Sequence, residues 1–448
     1  MWIHCLVSMQ KNKVDIITLG CSKNLVDSEQ LMRQFELNGF TVAHDAEKVD
    51  GEIVVVNTCA FIGDAQEESI NTILAFEEAK KKGRIGRLFV MGCLSERFLK
   101  DLEIELPFVD RFYGKFNWTL LLCDIGKTYY SEKATERVLT TPSHYTYIKI
   151  SEGCNRTCAF CSIPMITGKF RSRPMNDILA EVSQLVERGV KEFQLVAQDL
   201  TYTPHPRPLS EREGGKRGGL AELVERISDI QGVEWIRLHY AYPADFPYDL
   251  LRVMRERDNV CKYLDIALQH ISDSVLKRMR RKISKRETYE LIERIRVEVP
   301  GIHLRTTMMV GFPGETTQDF EELIRFVSEM RFERLGAFAY SHEMGTYAFS
   351  HYKDDIPDEI KQERLDRLMR VQEKIASELN AQKVGKIYRT MIDREENDFY
   401  IGRTEFDSPE IDPEVLISKE IRLETGHFCD VKINAAESFE LFGYAVNS

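Results

Sequence analysis

The first part of the chain alternates short apolar runs with stretches of helical spacing, which is typical of a parallel α/β sheet. Three apolar runs predict buried strands: Val14–Leu19, Ile53–Val56 and Leu88–Met91. Helical spacing follows the first two, at Leu25–Leu37 and Gln66–Lys82. We therefore predict an N-terminal α/β domain over residues 13–126, with Asn24 as the N-cap of its first helix.

A second series of the same kind follows the polar, aperiodic stretch 127–142, which we predict to be a linker. Six further strands are predicted at Thr146–Ile150, Phe193–Ala197, Trp235–Leu238, Tyr263–Leu268, Leu304–Val310 and Arg334–Tyr340. Helical stretches between them lie at Met175–Arg188, Leu220–Ile230, Tyr289–Val299 and Glu315–Met330. Six β/α units in succession predict a partial (β/α)6 barrel over 143–375, with its chemistry on the loops that follow the strands.

Two segments depart from this alternation. From about Leu379 the chain consists of short β-like pieces broken by turn residues, which predicts a small antiparallel β-barrel over 379–446. Pro204–Gly219 is rich in proline, glycine and charge, so we predict a surface insertion there. A nucleic-acid-binding arm is the alternative for this insertion, although its acidic residues dilute the basic ones.

Composition places the chain among soluble globular proteins. Its 448 residues are 43% hydrophobic and 30% charged, enough for two or three domains. No apolar run approaches the roughly 18–20 residues that span a bilayer. The ten cysteines fit a reducing cytosol, so we expect a cytoplasmic protein whose translation begins at Met1 or Met9. The formal charge of −11 argues mildly against a large nucleic-acid footprint.

Cys154, Cys158 and Cys161 have a C-x₃-C-x₂-C spacing that carries the strongest chemical signal. Three thiolates in one loop can hold three irons of a 4Fe–4S cube and leave the fourth iron open to a substrate or cofactor, whereas electron carriers and structural zinc sites normally use four ligands. The alternatives are a zinc knuckle completed by a distant residue and three free thiols.

Cys21, Cys59 and Cys93 each lie just past the carboxyl end of a predicted strand. Those ends meet along one edge of a doubly wound sheet, where ligands bind, so we predict a second metal site at this edge. Each cysteine could instead be a small buried residue in a tight turn. The other four, which have no partner at metal-binding spacing, are predicted to be plain thiols: Cys5, Cys123, Cys261 and Cys429.

The cysteine loop, with an aromatic residue before its third cysteine, resembles the signature of the radical S-adenosylmethionine (SAM) enzymes. The wider set of motifs resembles the methylthiotransferases, from about Val14 to the C-terminus. These motifs are GCSKNLVDSE (20–29), NTC (57–59), MGC (91–93), ISEGCNRTCAFCSIPMITGKFRSRP (150–174), YLDIALQH (263–270) and RTTMMVGFPGE (305–315). Departures from the family pattern are the insertion at 204–219, HEMGT at 342–346 and MITG at 165–168.

The resemblance implies an enzyme with two 4Fe–4S clusters and SAM as cofactors. Cys154, Cys158 and Cys161 would hold the SAM-cleaving cluster, and Cys21, Cys59 and Cys93 the auxiliary cluster in the N-terminal domain. Four residues would help to seat SAM: Phe160, Gln198, Asp199 and Gly311. Gly311 could equally be a turn residue, and for His270 a hydrogen-bonded structural role is favoured over a place in the cavity.

Two branches of this family differ in substrate. One modifies adenosine 37 of tRNA, and the other adds a methylthio group to the β-carbon of an aspartate in small-subunit ribosomal protein S-twelve. GCSKNLVDSE and VAQD (196–199) resemble the second branch. The C-terminal barrel, with 8 Lys or Arg against 14 Asp or Glu and hence a formal charge of −6, favours docking onto a basic protein and makes tRNA an unlikely partner.

A reductant is also implied, such as flavodoxin or ferredoxin. The competing hypotheses are a tRNA modifier that reads RNA through the C-terminal barrel and a non-catalytic iron–sulfur protein. An open iron has little purpose in pure binding, which counts against the latter.

Overall fold

The computed structural model describes residues 9–201 and 219–446. The chain forms two compact units. The first contains the residues up to Thr141 together with Glu152–Asn155 and Ser162–Arg171. The second contains Pro142–Ser151, Arg156–Cys161 and the residues from Ser172 onward. Cys5 and the predicted insertion up to residue 218 lie outside the described residues.

The first unit is built on a five-stranded parallel sheet with the strand order β2-β1-β3-β4-β5. Its strands are β1 Gln10–Thr18, β2 Thr41–His44, β3 Gly51–Thr58, β4 Arg87–Gly92 and β5 Arg111–Phe112, and its helices are α1 Ser22–Leu37, α2 Gly63–Lys81, α3 Cys93–Glu105 and α4 Leu120–Asp124. On β3, Ile53 and Val55 pack into one apolar cluster while Val54 and Val56 pack into another. The sheet is thus covered on both faces, as parallel sheets require.

The pattern of apolar positions correctly predicts the three central strands and both helices. It misses β2 and β5, because these edge strands are short and carry little buried apolar surface. The segment predicted as a linker is also not a free connection. Val138 packs against the core of the first unit, and the buried guanidinium of Arg137 lies 3.1 Å from a Glu29 carboxylate oxygen on α1.

The cysteine loop lies between short elements, of which the pattern predicts only the first. In chain order these are β6 Tyr145–Lys149, β7 Ser151–Glu152, α5 Ile163–Thr167 and β8 Arg171–Ser172. Of these only β6 was expected. The two-residue strands are too short to show an apolar period.

The second unit contains a parallel six-stranded sheet with the order β13-β12-β11-β10-β9-β6. Its further strands are β9 Glu192–Val196, β10 Trp235–Ala241, β11 Val260–Gln269, β12 His303–Val310 and β13 Arg334–Ala339. Its helices are α6 Met175–Glu187, α7 Leu220–Ser228, α8 Asp249–Glu256, α9 Asp273–Arg278, α10 Lys285–Glu298, α11 Thr317–Met330, α12 Tyr347–His351 and α13 Asp358–Ala381. The predicted partial (β/α)6 barrel is confirmed.

The C-terminal part forms a closed five-stranded barrel, as predicted. Its strands are β14 Ile387–Glu395, β15 Phe399–Thr404, β16 Glu414–Ser418, β17 Phe428–Ala436 and β18 Glu440–Ala445. All pairings are antiparallel except that of β16 with β18, which is parallel. Among the described residues no helix is long and apolar enough to cross a membrane.

Acidic residues of the small barrel form buried ion pairs with the β/α barrel. The fully buried Glu192, at the start of β9, binds Arg237 at 3.1 Å and Arg403 at 2.9 Å. Arg403 also binds Asp393 at 2.6 Å, and Asp393 lies 2.8 Å from His144. Burial opposes ionisation of Asp393, but Arg403 and His144 outweigh it and lower the pKa of Asp393 to about 2.

This network corrects part of the charge argument made from the sequence. Asp407 and Asp412 are likewise buried, paired with Arg334 and Arg305. These carboxylates neutralise basic side chains within the molecule and are not available to a partner. The exposed acidic residues of the β14–β15 turn remain: Glu395, Glu396 and Asp398.

Candidate functional site

Three loops at one edge of the N-terminal sheet carry Cys21, Cys59 and Cys93. Cys21 precedes α1, Cys59 follows β3, and Cys93 begins α3 directly after β4. Burial is the largest cause that raises the pKa of Cys59 and of Cys93, and repulsion from Cys21, joined by Cys59 in the second case, adds to it. The three cysteines thus follow neighbouring strands at one edge of the sheet, and a shared metal site there stays a prediction.

Asn24 holds these loops together. Its Nδ2 donates to the carbonyl oxygens of Leu19 and Thr58, both at 3.0 Å, and its Oδ1 lies 3.7 Å from Cys93 Sγ. The prediction that Asn24 is the N-cap of α1 is wrong, because Cys21 occupies that position without a side-chain cap bond. The buried amide instead connects the ends of β1, β3 and β4, a role that depends on tertiary contacts.

Two glycines allow the cysteine loops to approach each other closely. Gly20 has φ +91°, and a Cβ atom there would lie 2.7 Å from Cys59 Cβ and 2.9 Å from Cys59 Sγ. Gly92 has φ +101°, and its Cβ would lie 2.4 Å from Asn57 Oδ1. Any side chain at either position would strain the backbone and displace the cysteine environment.

Lys115 places a buried positive charge beside these thiols, and the sequence pattern did not single it out. Its ammonium lies 2.9 Å from Asp27 and 3.6 Å from Glu152. Burial disfavours this charge, but Asp27, Glu152 and Cys93 raise the pKa of Lys115 well above its ordinary value. Burial also opposes ionisation of the Cys21 thiol, yet Lys23 and Lys115 lower its pKa.

Among the described residues no group of three or more His, Cys, Asp or Glu is arranged to hold a metal ion. Binding of a cluster by these three thiols therefore stays a prediction. In a 4Fe–4S cube each thiolate binds a different iron, so its ligands lie further apart than those of one zinc ion. Soft thiolates beside a buried ammonium suit an anionic cluster.

The second cysteine set follows the first strand of the β/α barrel. Cys154 belongs to the first unit, where its N–H donates to the Gly168 carbonyl at 3.2 Å. Cys158 and Cys161 belong to the second unit. There the Cys158 sulfur accepts a hydrogen bond from Arg281 Nη1 at 3.3 Å and lies 3.9 Å from the Tyr242 hydroxyl.

Arg156 fixes the loop between the first two cysteines of this set. Its Nε donates to Asp199 at 2.8 Å, its Nη1 donates to Asp245 at 2.9 Å, and its guanidinium lies 4.1 Å from the ring centroid of Tyr242. Asp199 also accepts from the backbone and hydroxyl of Thr201. Asp199 thus anchors the cysteine loop, and its contact with SAM stays a prediction.

The other three residues predicted to contact SAM each have a different local environment. Phe160 packs edge-on against Phe312, with ring centroids 6.5 Å apart. Gly311 has φ +73°, its N–H donates to Glu315 at 2.7 Å, and a Cβ there would meet Lys361, so a turn role is sufficient to explain this glycine. Gln198 is half-buried and lies two residues after the end of β9. Their contacts with SAM stay predictions.

His270 lies in the interior of the second unit. The His270 ring is fully buried, its Nδ1 accepts from the Ser272 N–H at 3.0 Å, and burial lowers its pKa to about 3. It is therefore a neutral structural histidine, as favoured from the sequence.

Residues 165–168, where the sequence differs from the family pattern, line an open groove of the first unit together with Phe116 and Arg171. The Arg171 guanidinium stacks 4.4 Å from the Phe116 ring centroid.

Comparison with known proteins agrees with this arrangement. The radical SAM superfamily matches residues 148–327, Uncharacterized protein family UPF0004 matches 13–114, and the TRAM domain matches 384–446. A protein of Parabacteroides distasonis named ribosomal protein uS12 methylthiotransferase RimO is 70% identical over 98% of this chain and 100% of its own length. The chain belongs to the RimO family. The predicted membership of the radical SAM methylthiotransferases is thereby confirmed.

Other RimO proteins and a more distant structure complete the comparison. RimO of Porphyromonas gingivalis is 63% identical over 98% of this chain and 100% of that protein, and RimO of Phocaeicola vulgatus is 62% identical over 97% and 99%. The solved structure of the radical SAM methyltransferase TsrM from Kitasatospora setae has a TM-score of 0.53 at 14% identity, covering 74% of this chain and 75% of that chain. At that identity the likeness shows the fold alone.

Proposed function

We propose that this protein adds a methylthio group to the β-carbon of an aspartate in ribosomal protein uS12, the small-subunit protein S-twelve. The observation that carries this proposal is the 70% identity, over 98% of this chain and 100% of the relative, to a protein named for that activity. The chemistry of the site agrees with it. An aspartate β-C–H bond cannot be ionised by a side-chain acid or base, so the reaction needs cofactor chemistry of the kind that cysteine-rich loops provide.

Six cysteines would hold the cofactors, three at each site: Cys154, Cys158 and Cys161, and Cys21, Cys59 and Cys93. When bound, the two 4Fe–4S clusters and SAM supply the radical cleavage of the C–H bond and the transfer of sulfur and methyl groups. The chain's own groups position these ligands. Asn24 holds the auxiliary loops, Arg156 anchors the SAM loop, and Lys115 offsets negative charge at the auxiliary site.

Location and reductant are part of the same proposal. The described cysteines are all free thiols, which supports a cytoplasmic protein. An electron donor such as flavodoxin or ferredoxin would supply the reducing electrons.

The deciding experiment gives the anaerobically reconstituted enzyme SAM, a reductant, sulfide, and both candidate substrates. We expect mass spectrometry to find a methylthio group on one aspartate of ribosomal protein uS12 and unmodified adenosine 37 in tRNA digests. Methylthioadenosine in the tRNA with no mass gain on uS12 would refute the proposal and support the tRNA branch.

Iron content tests the two cysteine sets separately. The reconstituted enzyme should contain roughly eight irons per chain, and alanine at either complete set should leave roughly four. Loss of Cys154, Cys158 and Cys161 should abolish SAM cleavage, whereas loss of Cys21, Cys59 and Cys93 should retain some cleavage without sulfur insertion. Cys123→Ala, at an exposed thiol, is the control and should not change iron content. Unchanged iron after loss of the second set would make those cysteines structural.

A further inference from the structure

Arg281 is buried directly against a sulfur of the cysteine loop. Only 3% of this residue is exposed, and its Nη1 donates to Cys158 Sγ at 3.3 Å. Its Nη2 donates to the Ala267 carbonyl oxygen at the end of β11. Burying a guanidinium is costly unless it is well paired, so a buried arginine that directs one arm at a cysteine requires an explanation.

The backbone around Arg281 is built to hold that orientation. Arg280 and Lys282 both have left-handed backbone conformations, with φ +58° and +53°. Such conformations cost free energy in residues other than glycine and concentrate at functional sites. The Arg281 carbonyl accepts from the Tyr242 hydroxyl at 2.6 Å, and its N–H donates to the Leu276 carbonyl at 3.0 Å.

The same segment is connected to the cysteine loop at two further points. The Ala159 N–H, between Cys158 and Cys161, donates to the Met279 carbonyl at 2.9 Å. The Tyr242 ring lies between two guanidiniums, since Arg281 and Arg156 each approach its centroid to 4.1 Å. Any displacement of Arg281 would therefore disturb a packed stack that includes the loop's other arginine.

We infer that Arg281 is a positioning residue that sets the reduction potential of the SAM-cleaving cluster through Cys158. This inference rests on the proposed function in one respect, that Cys158 is a cluster ligand. An N–H···S hydrogen bond and a buried positive charge both stabilise the reduced, more negative form of a cluster and so raise its potential. Arg281 Nε has no partner among the described residues and is available as a further donor. The residue brings the cluster within reach of a biological electron donor.

Redox titration of the reconstituted full-length enzyme, followed by electron paramagnetic resonance, tests this inference. The signal that changes on addition of SAM identifies the SAM-cleaving cluster. Arg281→Met should keep full iron content but reduce the ratio of reduced to oxidised cluster at a fixed potential by about tenfold, equivalent to about 59 mV for one electron. Arg281→Lys, which keeps the charge, should show a smaller shift. SAM cleavage should slow with a weak donor and recover with a stronger reductant.

Arg280→Met is the matched control, because Arg280 is the adjacent residue, is exposed, and stacks on Tyr347. Equal potentials for Arg281→Met and Arg280→Met at full iron content would overturn the inference. If Arg281→Met does not bind iron, the reduction potential of Arg281→Gln is measured instead. This variant keeps a hydrogen-bond donor but loses the positive charge. A potential equal to that of the wild-type cluster would again overturn the inference. A wild-type enzyme without a SAM-responsive signal would instead refute the cluster assignment, whereas an active cluster with no product on uS12 would refute only the proposed substrate.

Discussion

Cys93 Sγ lies 3.7 Å from Asn24 Oδ1, although 69 residues separate them in the chain. The same amide donates to the ends of β1 and β3. One buried side chain thus contacts all three strand ends that precede or carry the N-terminal cysteines. The geometry of the auxiliary site therefore depends on a residue that is not itself a predicted ligand.

Asn24→Ala should lower the free energy of unfolding by about 1–3 kcal/mol, because the buried Thr58 carbonyl and the partly buried Leu19 carbonyl lose their donor. It should also reduce the iron content of the auxiliary site. Asn38→Ala is the control, since Asn38 makes two similar bonds at the other end of α1, to the Gln34 and Thr128 carbonyls. Denaturant titration and iron analysis measure both effects. Equal iron loss in the two variants would show that helix stability, and not the Asn24 contacts, controls the site.

Lys115→Met should destabilise the first unit by about 3–5 kcal/mol, because Asp27 would be left buried without its cation. Iron retention at the auxiliary site should fall as well. The double variant Lys115→Met, Asp27→Asn should recover part of the stability, since it removes both charges. Lys100→Met, at an exposed position of α3, serves as the control and should change little. A double variant no more stable than the single one would contradict the pairing.

Asp393→Asn should flatten the dependence of stability on acid pH. The pKa of Asp393 is lowered from 3.8 to about 2 in the folded protein. Its contribution, about 2 kcal/mol, is therefore present above pH 3.8 and is lost as the pH falls towards 2. Urea titrations between pH 5 and about 2 should show a steeper loss in the wild-type protein than in the variant. If stability fell equally with pH in both proteins, the pKa of Asp393 would be the same in the folded and the unfolded chain.

Glu192→Gln should cost about 3–5 kcal/mol, because it leaves Arg237 and Arg403 buried without their shared carboxylate. Glu234→Gln removes an ion pair with Arg389 at 2.6 Å whose carboxylate side chain is 43% exposed. That control should cost under about 1 kcal/mol, as surface pairs do. Thermal or chemical denaturation measures both. A similar loss of unfolding free energy in the two variants would show that burial does not make the Glu192 ion pairs more stabilising than the exposed Glu234 pair.

Reversing Glu395, Glu396 and Asp398 to lysine should slow association with ribosomal protein uS12 and weaken its dependence on salt, because exposed carboxylates steer a basic partner. SAM cleavage should be unaffected. Surface plasmon resonance at two ionic strengths measures the association rate. An unchanged rate would mean that the protein substrate docks elsewhere.

The central strands of both parallel sheets, the helices predicted between them, and the places of the N-terminal cysteines after strands followed from the sequence. A run such as Ile53–Val56 is typical of a strand buried on both faces, and Cys59, three residues after it, is expected at the carboxyl edge of the sheet. Family motifs then predicted the chemistry of the two cysteine sets. These inferences hold because apolar period and local spacing are properties of neighbouring residues.

The tertiary structure alone decided which polar groups meet. Arg403 binds Glu192 across 211 residues, and Arg281 reaches Cys158 across 123. No local pattern specifies such a partner. Some acidic residues of the C-terminal barrel, which the sequence suggested as a docking surface, are therefore buried counter-ions. Asn24, expected as a helix cap, connects three loops instead. Burial decides the role of these side chains, because a charged or amide group removed from water must find its partner within the fold.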